Sequence, residues 1–153
     1  MIHLLVSDPF LDQVDLQKLE QAAAAALNHE EIDPESDLTL VVEDDAYLQV
    51  LNKEYLGIDA PTDVLSFPAG EGEIDPDSGH VYLGDIILSY PRAAEQAAAA
   101  GHPPMNEMQL LVVHGVLHLL GHDHAEENEK AQMWAAQQAI LDRLGVQINR
   151  LPE

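Results

Sequence analysis

His114-Gly-Val-Leu-His118-Leu-Leu-Gly121-His122-Asp-His124 is the stretch around which the rest of this chain is read. Three of its imidazoles fall into the pattern H-x-x-x-H-x-x-G-x-x-H. On an α-helix, residues four apart are separated by about 40° and about 6 Å, so His114 and His118 project from one face and can share an ion. Gly121 stands where such a helix ends, because glycine accepts the left-handed conformation of a C-terminal cap. A chain turned back there brings His124 to the same point. His122 would continue the stripe only if the helix ran on; the turn at Gly121 leaves it at the site entrance or simply exposed. Three neutral imidazoles with a fourth position open is the arrangement of a catalytic zinc, not of a structural one.

The surroundings of the run support this. From Met108 to Leu120 nearly every residue other than the histidines is apolar. A helix apolar all round is buried, and buried imidazoles cost free energy unless something satisfies them. One histidine on such a helix reads as a core residue hydrogen-bonded to a carbonyl. A pair at i, i+4, followed by glycine and a third histidine at ligand spacing, reads as a metal site.

The spacing matches the extended zinc motif of metzincin proteases with one departure. Those enzymes carry Glu directly after the first histidine as general base, whereas this chain has Gly115. Glycine transfers no proton. A metal there would still bring the pKa of its water near neutrality and stabilise charge on a carbonyl or phosphoryl oxygen. Any base must come from elsewhere, and a metallopeptidase or amidohydrolase is the weaker reading.

The histidine run resembles the signature of the YbeY family, bacterial zinc-dependent endoribonucleases of ribosomal RNA maturation. Pro61-Thr-Asp-Val-Leu-Ser-Phe-Pro68, Leu83-Gly-Asp-Ile-Ile87 and Leu51-Asn-Lys-Glu-Tyr55 match the same family in order and spacing, from about residue 40 to 125. The chain departs from the family at two places. His122 replaces the usual Tyr before the final Asp-His, which leaves His114, His118 and His124 intact as ligands of one Zn2+ ion. Leu56 replaces the Arg that usually follows the tyrosine, a residue associated with holding the RNA backbone; Lys53 and Arg92 are the available substitutes. The resemblance implies an enzyme that cuts single-stranded RNA in small-subunit rRNA 3′-end maturation and ribosome quality control. It also implies ribosomal RNA and the small ribosomal subunit with its proteins as partners, and neither DNA nor a membrane.

Composition sets the outer bounds. At 153 residues the chain suits one domain, 1–153, read as a metal-dependent hydrolase. It has no cysteine, so neither a disulfide framework nor a thiolate ligand. Its start lacks a charged n-region and a long apolar core, which predicts no secretory signal and a cytoplasmic protein. The buried helix expected at 105–120 is too short to span a bilayer comfortably. The formal net charge is -22, with only six Lys and Arg. Nucleic-acid binders normally present a basic surface, so the RNA assignment rests on the resemblance and not on charge. Such acidity fits a solvated surface, an adaptation to high salt, or docking of a basic ribosomal protein.

The remaining pattern predicts a strand over 1–7, a helix over 12–28 capped by Asp12 or Asp15, and a strand over 38–43. Asp44 or Asp45 then caps a helix to about Tyr55. A short strand over 63–67, an exposed Gly/Asp/Glu loop over 69–79 and a strand over 80–88 follow. Pro91 opens a helix that stops at Gly101. A last helix over about 125–144 turns Trp134, Ile140, Leu141 and Leu144 inward and ends at Gly145. Strands and helices mix without strict alternation. The class is α+β: one domain, a small mixed sheet with about five helices, and a zinc site at the end of a buried helix, zincin-like.

Asp85 is the candidate catalytic carboxylate beside His114, since the resemblance places its motif next to the site; a carboxylate hydrogen-bonded to backbone is the structural alternative. Thr62 and Asp63 brace a turn and shape the cleft. Asp123 is placed to orient a ligand imidazole. His3, His29, His80 and His102 have no partner pattern and read as surface or loop residues. Besides the nuclease, a non-catalytic zinc-containing ribosome-assembly factor stays open.

Overall fold

The computed structural model describes residues 1–70 and 72–148; residues 149–153 of the expected single domain lie outside them. Strand β1 (Ile2–Val6) is followed by a 3-10 turn at Asp8–Phe10 and helix α1 (Leu16–His29). That helix starts later than the pattern from residue 12 suggests, because Pro9 seeds the separate 3-10 turn. Asp15, not Asp12, is the cap, its carboxylate accepting the Lys18 N–H at 3.2 Å. Strand β2 (Asp37–Glu43) runs into helix α2 (Asp45–Leu56), capped by Asp44 through the Tyr47 N–H.

Strands β3 (Val64–Pro68) and β4 (Tyr82–Ser89) precede three helices: α3 (Tyr90–Ala100), α4 (Pro104–Leu119) and α5 (Glu127–Leu144). Ser89 caps α3 and Pro91 occupies its first turn. The sheet order is β1-β2-β4-β3, with β1, β2 and β4 parallel and β3 antiparallel along one edge. The described residues form a single small α+β domain with a four-stranded mixed sheet and five α-helices.

Side chains alternate across the pleat, and the two sheet faces are covered differently. Leu38, Leu40 and Val42 of β2 and Ile86 and Leu88 of β4 join the main core with α1, α4 and α5. Ile87 and Leu65 point the other way, onto Leu48 of α2. Helix α4 is the centre of the main core, buried without interruption from Glu107 to Leu117. On α5, Ile140 and Leu141 are buried, while Trp134 and Leu144 are half-buried against the same core.

Two glycines let α4 approach the sheet. A Cβ on Gly115 would lie 2.7 Å from Cγ2 of Ile86. Gly84, at φ +140°, would put a Cβ 2.3 Å from the Phe67 carbonyl oxygen and 2.9 Å from Cδ2 of Leu119. No larger residue fits either place without displacing backbone or core. Ser66 Oγ then donates to the Gly115 carbonyl at 3.2 Å, tying edge strand β3 alongside the C-terminal half of α4.

Candidate metal centre

His114 and His118 lie on the last turns of α4, which ends in a Schellman motif. The Gly121 N–H donates to the His118 carbonyl at 3.1 Å and the His122 N–H to the Leu117 carbonyl at 2.9 Å, with Gly121 at φ +100°. The chain reverses there, and the Asp123 carboxylate fixes the next residue by accepting the His124 N–H at 2.7 Å. His124 is thereby carried back to the helix. Its ring centroid is 5.6 Å from that of His114 and 5.2 Å from that of His118.

One nitrogen from each of His114, His118 and His124 lies within 4.8 Å of the others, a grouping able to hold a metal ion. The Nε2 atoms of His114 and His118 are 3.1 Å apart. His114 is 3% exposed, and burial pushes its imidazole down to about 4. His118 is also lowered, by burial and then by His124. Both are therefore neutral at pH 7, the form that donates a lone pair to a metal.

His114 Nδ1 lies 2.9 Å from Gln137 Oε1. An amide oxygen only accepts, so Nδ1 carries the proton and Nε2 presents its lone pair to the other two histidines. Asp123 was expected to orient a ligand ring; it holds the His124 backbone, and the amide of Gln137 on α5 takes the ring-orienting role. Sequence reasoning missed Gln137. The available signal was its place on the apolar stripe Met133, Ala136, Gln137, Ile140, Leu141, where a fully buried polar residue needs a partner.

Trp134, one helical turn from Gln137, packs against the cluster. Its ring lies 5.9 Å from that of His114 and 5.7 Å from that of His124, with Lys130 Nζ over it at 5.7 Å.

The triad forms the floor of an open cleft of about 530 Å³, walled by β3, Thr62, Asp63 and the end of α2 at Tyr55 and Leu56. Asp85 is not brought to the histidines. It shares a strand face with Ile87, opposite Gly84 and Ile86, and opens into a separate cavity under α2 with Tyr47 and Leu51. There it accepts a hydrogen bond from the Tyr82 hydroxyl, which also bonds Thr39 Oγ1 at 2.6 Å. Burial and then Asp85 push the Tyr82 hydroxyl up to about 12.

His122 does not line the triad's entrance: it pairs with Glu30 at the end of α1. His102 is no loop bystander either, being buried with Nε2 2.7 Å from the fully buried Glu107 carboxylate. Neither proposed substitute for an arginine at position 56 reaches the cleft wall. Arg92 is held by Asp45 in a two-pronged pair at 3.1 and 2.7 Å, and Lys53 sits 3.9 Å from Asp59.

The family model described as Endoribonuclease YbeY matches residues 8–145. A protein of that name from Geobacillus thermodenitrificans is 46% identical over 136 residues, covering 86% of this chain and 87% of the relative. One from Roseiflexus sp. is 42% identical over 153 residues, covering 95% and 93%. A Thermotoga maritima protein solved in solution superposes with a TM-score of 0.63 at 26% identity, over 94% of this chain and 89% of that one. On these matches the chain belongs to the YbeY endoribonuclease family.

Proposed function

We infer that this chain acts as one metal-dependent hydrolase domain: a zinc-dependent endoribonuclease that cuts single-stranded RNA in the cytoplasm, in maturation of small-subunit ribosomal RNA and ribosome quality control. The observation that carries the reading is the convergence of His114, His118 and His124 on the floor of an open cleft, in a chain of this family. Three neutral imidazoles with a fourth position open are the donor set of catalytic zinc. An ion held there supplies Lewis-acid activation of water and of a phosphoryl oxygen.

The chain's own residues do the positioning. Gln137 fixes the His114 tautomer, the Schellman turn swings His124 inward, and β3 forms the wall along which a strand of substrate lies. A peptidase reading is disfavoured because position 115 faces Ile86 in the core and carries no base.

Bound-metal analysis combined with RNA cleavage by wild type and His114→Ala tests this. The expected result is one zinc per chain and cleavage of single-stranded rRNA fragments by wild type only. Product ends then distinguish water attack, which leaves a 5′-phosphate, from attack by the ribose 2′-hydroxyl, which leaves a 2′,3′-cyclic phosphate. Equal cutting by the variant, or zinc-loaded wild type that sediments with small subunits yet leaves RNA intact, overturns the nuclease reading.

A further inference from the structure

We propose that Tyr55, backed by Phe67, is a stacking subsite for an unpaired RNA base beside the histidine triad. This rests on the endoribonuclease reading. Tyr55 is 64% exposed at the end of α2. Its position is nonetheless fixed, edge-to-face on the half-buried Phe67 with ring centroids 5.2 Å apart. Both rings line the triad cleft and also the neighbouring cavity under α2. They therefore stand at the lip shared by the two hollows, within reach of a strand that leaves the triad toward α2. Leu56, 59% exposed, extends the lip.

Charge argues for a base and not a phosphate as the occupant. No Lys or Arg is among the described residues lining the cleft, and the chain carries a net charge of -22. The counterion-release term that dominates most RNA binding is thus missing here. A neutral π face is what remains, and stacking on an aromatic ring is tolerant of sequence. Bases inside a duplex have both faces covered by neighbours, so this platform also selects single strands.

The test is fluorescence anisotropy with a labelled 2′-O-methyl hexa-adenylate on the full zinc-loaded chain, its integrity checked on gels. Tyr55→Ala and Tyr55→Leu are expected to weaken binding about tenfold, and Tyr55→Phe to stay within about twofold of wild type. Leu keeps bulk and apolarity without the π face, so it separates stacking from simple apolar contact. An abasic residue walked along the probe should cost wild type that same factor at one position and cost Tyr55→Ala nothing there. Binding by Tyr55→Leu equal to wild type marks the lip as an apolar docking patch and overturns the subsite. Wild type that cuts RNA with no dependence on Tyr55 also overturns it, while the nuclease reading stands. Wild type that neither binds nor cuts single-stranded RNA removes the nuclease reading, and the subsite with it.

Discussion

His114 on α4 and Gln137 on α5 meet at 2.9 Å, imidazole Nδ1 to amide oxygen, in a fully buried contact. Replacing Gln137 by Leu leaves the Nδ1–H without an acceptor and frees the tautomer. Groups that hydrogen-bond the far nitrogen of a ligand imidazole typically carry a 10- to 100-fold share of metal affinity. Gln137→Leu is therefore expected to weaken zinc binding by about 10- to 100-fold while the fold persists, read by competition with a chelator of known affinity. Unchanged affinity would show that packing alone orients His114.

Trp134 is the chain's one tryptophan and stands within 6 Å, centroid to centroid, of two triad rings: 5.9 Å from His114 and 5.7 Å from His124. An open-shell ion in the triad should quench it. Titration with cobalt(II) is expected to reduce emission with an endpoint at one ion per chain, and zinc should reverse the effect by displacement. His118→Ala should abolish the response. Quenching that persists in that variant would place the ion elsewhere.

The site was legible where its chemistry is local. Three histidines and the glycine that turns the chain lie within one short run, and helical periodicity plus cap chemistry are enough to converge them. Gln137 was not legible, because which polar residue on α5 faces His114 depends on how two distant helices dock. The face that Asp85 occupies relative to the triad was not legible for a related reason. Strand periodicity puts it opposite Gly84 and Ile86, but only the docking of α4 onto β4 decides which face carries the triad. The strand order β1-β2-β4-β3 is equally non-local. The late start of α1 reflects competition between a 3-10 turn at Pro9 and the helix cap at Asp15.

Acid sensitivity of the metal-free protein follows from burial of His114, held at about 4 against an ordinary 6.5. Between those values the unfolded chain binds more protons than the folded one, so stability falls as pH is lowered through that window and is flat for this group above it. The loss approaches about 3 kcal/mol at the acid end, and His118 acts in the same direction. Asp37, pulled to about 2 by its bond to the Met1 ammonium and then by Ser78, works in a different window. Its contribution is present above the ordinary 3.8 and is lost as pH falls toward 2. Urea unfolding with chelator at pH 7 and pH 5 should show a clear drop for wild type and a smaller one for His114→Gln. Equal drops would assign the sensitivity to other groups.

The close approach of Gly115 to Ile86 leaves no room for a side chain at the usual general-base position. Alanine there would gain about 1 kcal/mol of helix propensity, yet its Cβ would sit 2.7 Å from a branched methyl of fully buried Ile86. Overpacking of that kind costs about 1–3 kcal/mol, so Gly115→Ala should destabilise the protein modestly. In an Ile86→Ala background the methyl is gone, and the same substitution should become neutral or stabilising by up to about 1 kcal/mol. Urea midpoints around this double-mutant cycle decide it. The same geometry predicts that Gly115→Glu gains no peptidase activity, since the new side chain would be driven into the sheet and away from the cleft. Equal destabilisation by Gly115→Ala in both backgrounds would mean that something other than Ile86 holds the position to glycine.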